Sequence, residues 1–358
     1  MISINKNCPV LLLMLLLICL GGVVARLEAQ DAPSTAAGEM MPLFQSDELL
    51  YLTLSMDIRT AIQDIEEKDS HPAELSYKDQ NGNEIKLPIK VKTRGNFRKD
   101  PINCDFPPLR FNFSSNTVKN TLFEGQDKIK LVTHCRSRRD LYEQNVLKEY
   151  LAYKLYNLFT PESFGVRLAQ ITYADTEGRY DTLKKMAFLL EPEEQLARRN
   201  GCEILEVKGV RQDRTERNKT TMMSVFQYMI GNTDWSVWAL HNVVLLKKSP
   251  TALPIVVPYD FDWCGLVEAP YAFPPEQLPI ESVRERLFRG FCRSDSDLQP
   301  LLDEFRHRKE AIYQTCHDVP YLSEKELRMI VKYMDQFFKT LDNPKAVEAE
   351  FHRNCRNK

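Results

Sequence analysis

Between Leu50 and Leu190 the apolar positions recur mostly with period two. Leu50, Leu52 and Leu54 alternate with Tyr51 and Thr53, and Lys128-Ile129-Lys130-Leu131-Val132 sets charge against apolar side chain. Side chains of a strand point alternately to opposite faces, so these runs predict half-buried strands. Further strands are predicted over 74–77, 85–92, 109–113, 166–173 and 185–190, with Asn81-Gly82-Asn83 as a turn between the second and third. The period changes at Leu141. Val146, Leu147, Tyr150, Leu151, Leu155 and Leu158 recur every three or four residues, which predicts one long amphipathic helix over 141–159. After the charged stretch 191–199, a helix is predicted over 221–230 and short strands over 242–247 and 255–257. The chain beyond Glu276 reads as helical, with Ser323 and Glu326 as a capping box. The pattern describes an α+β protein with a β-rich N-lobe containing one long helix and a mainly helical C-lobe.

The N-terminus changes the picture of where this chain works. Lys6, the apolar run Val10–Leu20 and the small residues Gly21, Gly22 and Ala25 form a secretory leader pattern, with cleavage expected after Ala25 or near Ala29. The run is shorter than the roughly 20 residues of a spanning helix, although an uncleaved anchor is the alternative. Ile18 stands before Cys19 where a lipoprotein requires a small residue, which favours a periplasmic or secreted protein over a lipidated one. The organisation expected is signal peptide 1–29, tether 30–48, N-lobe 49–190 and C-lobe 191–358, with no transmembrane helix in the mature chain.

Composition narrows the partners. The 48 Lys plus Arg are balanced by 50 Asp plus Glu, so the chain lacks the basic excess that drives nucleic-acid affinity, and no nucleic-acid partner is expected. Two of the nine cysteines, Cys8 and Cys19, fall in the leader; the odd remainder leaves at least one thiol unpaired. Cys104 and Cys135 flank the N-lobe core and are the preferred disulfide, two separate buried thiols being the alternative.

The chemistry concentrates in two loops. Gly231-Asn232-Thr233-Asp234-Trp235 ends a helix and is followed by His241-Asn242 at the start of a strand. The next strand ends in Pro258-Tyr259-Asp260-Phe261-Asp262-Trp263. One carboxylate to orient a hydroxyl, with an amide and further carboxylates to ligate Mg2+ through oxygen, is the inventory that phosphoryl transfer requires. Each piece alone also fits an Asx turn or a cap, and His241 fits a structural histidine.

These segments resemble atypical kinases of the HipA and spore-coat protein H (CotH) type. Arg94-Gly95-Asn96 is similar to the Arg-Gly-Asn segment that opens the CotH kinase domain, and Pro258-Tyr259-Asp260-Phe261-Asp262 to its Pro-Trp-Asp-hydrophobic-Asp motif. The resemblance spans roughly residues 85–270. It implies a bilobed protein-kinase-like fold and an enzyme that moves the γ-phosphate of ATP, with Mg2+, to a protein hydroxyl. By the same resemblance Asp234 is the catalytic base, Asn242 and Asp260 hold the metal, and Asp262 is the second choice for that ligand. Lys130 would reach the phosphates and pair with Glu143, Arg94, Gly95 and Asn96 would approach them, and Glu191 would close the hinge that meets adenine. Two departures stand out. Asn242 follows Asp234 by eight residues, longer than the usual kinase spacing Asp-x-x-x-x-Asn, so an insertion is required. Asn112 occupies the strand position where CotH commonly has lysine. The competing expectation is a non-catalytic exported pseudokinase or envelope ligand-binding protein.

Overall fold

The alternating runs pair into one closed sheet. In the computed structural model, which describes residues 38–357 apart from 65, 67 and 68, the strands are β1 (Leu50–Met56), β2 (His71–Lys78), β3 (Glu84–Thr93), β4 (Leu109–Asn112), β5 (Lys128–Val132), β6 (Val166–Asp175) and β7 (Leu183–Leu190). Their order around the barrel is β1-β2-β3-β4-β5-β7-β6. All neighbours run antiparallel except β1 and β6, which close the barrel in parallel with Leu52 opposite Ile171. Inward residues such as Leu54, Leu75, Val91, Phe111, Leu131 and Leu189 form one apolar cluster. Gly82 takes a φ of 82° at the β2–β3 turn, a conformation open to glycine at no steric cost. The short helix α1 (Ile58–Gln63), unforeseen from the pattern, is capped by Asp57, which accepts from the Thr60 amide.

The second core is built on α2 (Asp140–Asn157). The sequence suggests an amphipathic helix here, but α2 is buried on nearly every side, including Asn145, Lys148 and Glu149. Around it lie α3 (Glu193–Arg199), which the sequence showed only as a charged stretch, then β8 (Glu203–Ile204), α4 (Arg217–Met229), β9 (Val243–Lys247) and β10 (Ile255–Pro258). The last strands form a small antiparallel sheet in the order β10-β9-β8. The helices α5 (Asp295–His307), α6 (Lys309–His317), α7 (Glu324–Leu341) and α8 (Pro344–Val347) complete the chain. Helix therefore resumes only at Asp295. The segment 276–294, expected to be helical, is irregular, as Pro279 within it and Pro274 and Pro275 just before it would favour. The architecture is α+β.

The leader and the beginning of the tether lie outside the described residues. The end of the tether is docked, with Leu43 and Phe44 buried and Asp47 paired with Lys154 of α2 at 2.7 Å. Cys104–Cys135 is a disulfide, as preferred, and Cys292–Cys355 is a second, while Cys202, Cys264 and Cys316 are free and buried. Two disulfides are consistent with an oxidising compartment outside the cytoplasm. Among the described residues no helix is long and apolar enough to cross a membrane.

The capping box at α7 is half formed. Ser323 Oγ accepts from the Glu326 amide, but the Glu326 carboxylate turns inward and takes Lys148 Nζ at 2.8 Å, both side chains almost fully buried. The Ser323 amide donates instead to Gln144 Oε1. A buried pair costs desolvation of both ions, so removing one partner is far worse than removing both. Lys148→Ala should therefore cost about 3–5 kcal/mol in urea unfolding. Lys148→Met with Glu326→Leu should recover most of that loss; a double variant as unstable as the single one would show that the charges themselves are required.

Candidate active site

Helix α4 ends at Gly231, whose φ of 66° reverses the chain and whose missing Cβ would lie 2.0 Å from the Tyr333 hydroxyl. No side chain fits there. The next turn is fixed by Asn232, whose Oδ1 accepts from the Asp234 amide at 2.9 Å while its carbonyl takes the Trp235 indole N–H. Arg289 donates to the carbonyls of Thr233 and Trp235, one on each side of Asp234. Ser236 and His241 then exchange both backbone hydrogen bonds, at 2.9 and 3.0 Å, and close residues 236–241 into a small hairpin. This hairpin takes up most of the eight-residue gap between Asp234 and Asn242. It returns Asn242 to Asp234: Asn242 Nδ2 donates to the Asp234 carbonyl at 2.8 Å and to Oδ2 at 3.0 Å. His241 Nε2 meets Oδ1 of the same carboxylate at 2.8 Å.

The second loop is tied to the first through the backbone. Tyr259 N donates to the Asn242 carbonyl at 3.1 Å, and Gly265 N and Leu266 N donate to the carbonyls of Gly231 and Ile230. Asp260 has a φ of 60° and Asn242 one of 53°. Asn and Asp tolerate this left-handed region better than other side chains, and such conformations cluster at functional sites. The Asp260 amide receives no backbone acceptor across the sheet; it donates to the Tyr153 hydroxyl of α2 at 2.8 Å. Asp262 Oδ2 accepts from the Tyr271 hydroxyl at 2.9 Å.

A group of acids converges here. Burial, then repulsion from Asp260, pushes Asp262 up to about 7 against the pull of Arg98. Burial, then Asp262 and Asp260, holds Glu149 of α2 well above the usual carboxylate range, with Arg98 and Arg94 opposing. Against its own burial, the Arg98 cation is favoured first by Tyr271 and then by Asp262, Glu149 and Asp260. Arg98 is anchored by donation to the Thr133 carbonyl, and its neighbour Phe97 packs edge-on to Trp263 at 5.5 Å. The loop that begins with Arg94 is thus pressed against the segment that carries Asp260 and Asp262.

The structure brings Asp234, Asn242, Asp260 and Asp262 together, with Arg94 close enough to act on Glu149 and Tyr259. Gly95 sits at a φ of 94° in the same loop, and Asn96 is exposed. The expected Lys130–Glu143 pair does not form. Lys130 Nζ binds Glu193 at 2.9 Å and lies 5.1 Å from the Tyr259 ring centre, because the side chain at its strand position faces the start of α3. Glu143 instead accepts from the Met186 amide at 2.7 Å and from Lys185 at 3.4 Å. The Glu191 carboxylate is committed too, to Arg199 at 2.8 Å and the Gly165 amide at 2.8 Å, and its own amide donates to the Gly165 carbonyl. It locks the junction between β7 and α3. Sequence reasoning missed Arg98, Glu149 and the His241–Asp234 contact. Arg98 lies four residues beyond Arg94, but its charge partners sit on other elements and leave no local signal.

The donor set fits a hard divalent cation. Among the described residues the Asp260 carboxylate has no hydrogen bond or ion pair, and Asn242 Oδ1 accepts none. Two oxygen donors are therefore open beside an excess of acid. No three Asp, Glu, His or Cys side chains converge as a ready-made cage among the described residues. Mg2+ is usually held through one or two carboxylates together with waters and substrate phosphates, and needs no such cage. No protein-family model matches the chain, and no curated protein matches it, so the functional reading rests on these residues.

The hydrogen bond with Asp234, with its charge, raises His241 above its ordinary value of 6.5 against the effect of burial. A raised histidine contributes stability that is complete below 6.5 and is lost as pH rises through the folded value. NMR titration should find the His241 midpoint above 6.5 and should find it lowered in Asp234→Asn, where burial no longer meets the carboxylate's pull. An unchanged midpoint in that variant would disprove the contact.

Proposed function

We propose that the chain is an exported atypical kinase of the CotH and HipA type, which transfers the γ-phosphate of ATP to a protein hydroxyl with Mg2+. The observation that carries this reading is the return of Asn242 to Asp234 across the 236–241 hairpin, with the unpaired Asp260 carboxylate at the end of the adjoining strand. Asp234 would orient the acceptor hydroxyl and take its proton, its own position fixed by Asn242 and His241. Asn242 Oδ1 and Asp260 would hold the metal, with Asp262 behind them. Bound Mg2+ would neutralise charge developing on the transferred phosphoryl group. The role expected of Lys130 and Glu143 passes in this reading to Arg98 and Glu149, a cation and a helix acid that both face the metal loop. Arg94, Gly95 and Asn96 would line the phosphate side, glycine letting the backbone come close.

The alternative, a pseudokinase or envelope ligand-binding protein, draws support from a specific observation. Lys130 is spent on Glu193, and both oxygens of Asp234 already have protein partners. Thermal unfolding with Mg-ATP separates the two readings. A ligand at 100 times its dissociation constant adds about 2.7 kcal/mol to the folded state. The native protein should gain stability in this way and Asp260→Ala should not; an unshifted native protein would end the nucleotide reading. Asp234→Asn should retain the shift and lose about 10²–10⁴-fold in transfer rate. A native protein that shifts but transfers nothing is the pseudokinase.

A further inference from the structure

Beside the Asp234 loop lies a pocket of about 250 Å3, lined among others by Gln212, Trp235, Trp238, Arg289, Phe291 and Arg356. Its electrostatics are unusual. The acid in its lining, Asp213, is spent on Arg211 through two bonds of 3.0 and 3.1 Å. Arg289 and Arg356 have no ion pair among the described residues, and Arg356 disfavours the charge on Arg289. Burial, then Arg356, lowers Arg289 to about 10, with Asp234 opposing. Arg356 comes from the end of the chain and is held there by design of the backbone. It forms a bridge with Phe291, donates its amide to the Gly290 carbonyl and accepts from Cys292 N, next to the Cys292–Cys355 disulfide. Trp238, on the 236–241 hairpin, stands 61% exposed at the rim.

We propose that this pocket binds carboxylate side chains of an acidic polypeptide, which Arg289 and Arg356 hold beside Asp234. Two guanidiniums with no ion pair among the described residues match carboxylates in charge and in their planar fork of donors, and an exposed indole offers a flat apolar surface to the flanking chain. At 250 Å3 the space is below that usual for small-molecule and cofactor sites and suits one or two side chains. Arg289 also bonds the carbonyls on either side of Asp234, so an occupant there touches the residue that positions the loop. That the polypeptide is the phosphate acceptor rests on the reading above; that the pocket binds carboxylates does not.

The test uses the full exported chain and a labelled peptide, Glu-Glu-Ser-Glu-Glu, with its Gln-Gln-Ser-Gln-Gln counterpart, read by fluorescence anisotropy without nucleotide. The acidic peptide should bind and the amide peptide should not. Arg356→Glu and Arg356→Gln, each with its melting temperature checked against the native protein, should weaken binding by about tenfold or more. Trp238→Ala should weaken it less. Cys292→Ser with Cys355→Ser, which releases the segment bearing Arg356, should weaken it as Arg356→Gln does. Equal binding of the two peptides, or native affinity in both folded Arg356 variants, overturns the proposal. So does displacement by inorganic phosphate at concentrations matching the acidic peptide, because the site would then be one for phosphate. If peptide binding behaves as expected while Mg-ATP gives no thermal shift, the pocket stands and the kinase reading falls. If Mg-ATP binds and transfer occurs, Arg356→Gln should raise KM for the acidic peptide with kcat unchanged.

Discussion

Two neighbouring charges, Lys148 and Glu149, lie inside the protein on one helix, and much of the structure is arranged to keep each beside compensating groups. Lys148 is satisfied by Glu326, which joins α2 to α7. Glu149 lies near the Asp260–Asp262 segment, where burial and then the repulsion of Asp262 and Asp260 are opposed by Arg98. Charges this deep are tolerated only when paired or neutralised. Helix α2, on which the second core is built, thus also carries buried polar groups between other elements. It connects the barrel loop bearing Arg98 to the segment bearing the acids, and connects both to the C-terminal helices.

The site itself depends on short-range geometry. Asn242 and Asp260 both occupy the left-handed region, each at the end of a strand of the small sheet, and each is pinned by a bond from a neighbouring element. Without those bonds an extended continuation of β9 and β10 would point the two side chains elsewhere. Strain of about 1–3 kcal/mol per residue is ordinary for such positions, and the backbone ties from Gly265 and Leu266 to the end of α4 supply restraint.

Much of this was legible in the sequence, and the rest was hidden for physical reasons. Strand alternation is a local property, so the runs from Leu50 to Leu190 were readable; the parallel closure of β1 on β6 is not local and left no mark. The position of α2 was plain from its three- and four-residue spacing. Its burial on all sides was not, because Asn145, Lys148 and Glu149 read as a solvent face until their partners on other elements are known. The order Asp234, Asn242, Asp260, Asp262 was visible as loop chemistry, and the hairpin explains why the long gap does not separate them. Lys130 was assigned from alternation correctly as a strand residue, yet its partner was set by α3, whose charged residues hid a helix. The segment 276–294 reads as helical only by continuity with the chain beyond it, whereas its own start carries the helix-breaking Pro279.

The closed barrel bears on how the protein must be made. Its first strand and its sixth are neighbours in space but are separated by four other strands and the whole of α2. As the chain is made N-terminus first, β1 arrives long before the strand that seals it, and it must wait with one edge bare. Unpaired edges invite pairing with other chains, and contacts between distant residues form slowly. Until β6 appears the free edge of β1 is therefore open to pairing with other chains, and a folding helper that covers a bare strand would act in that interval.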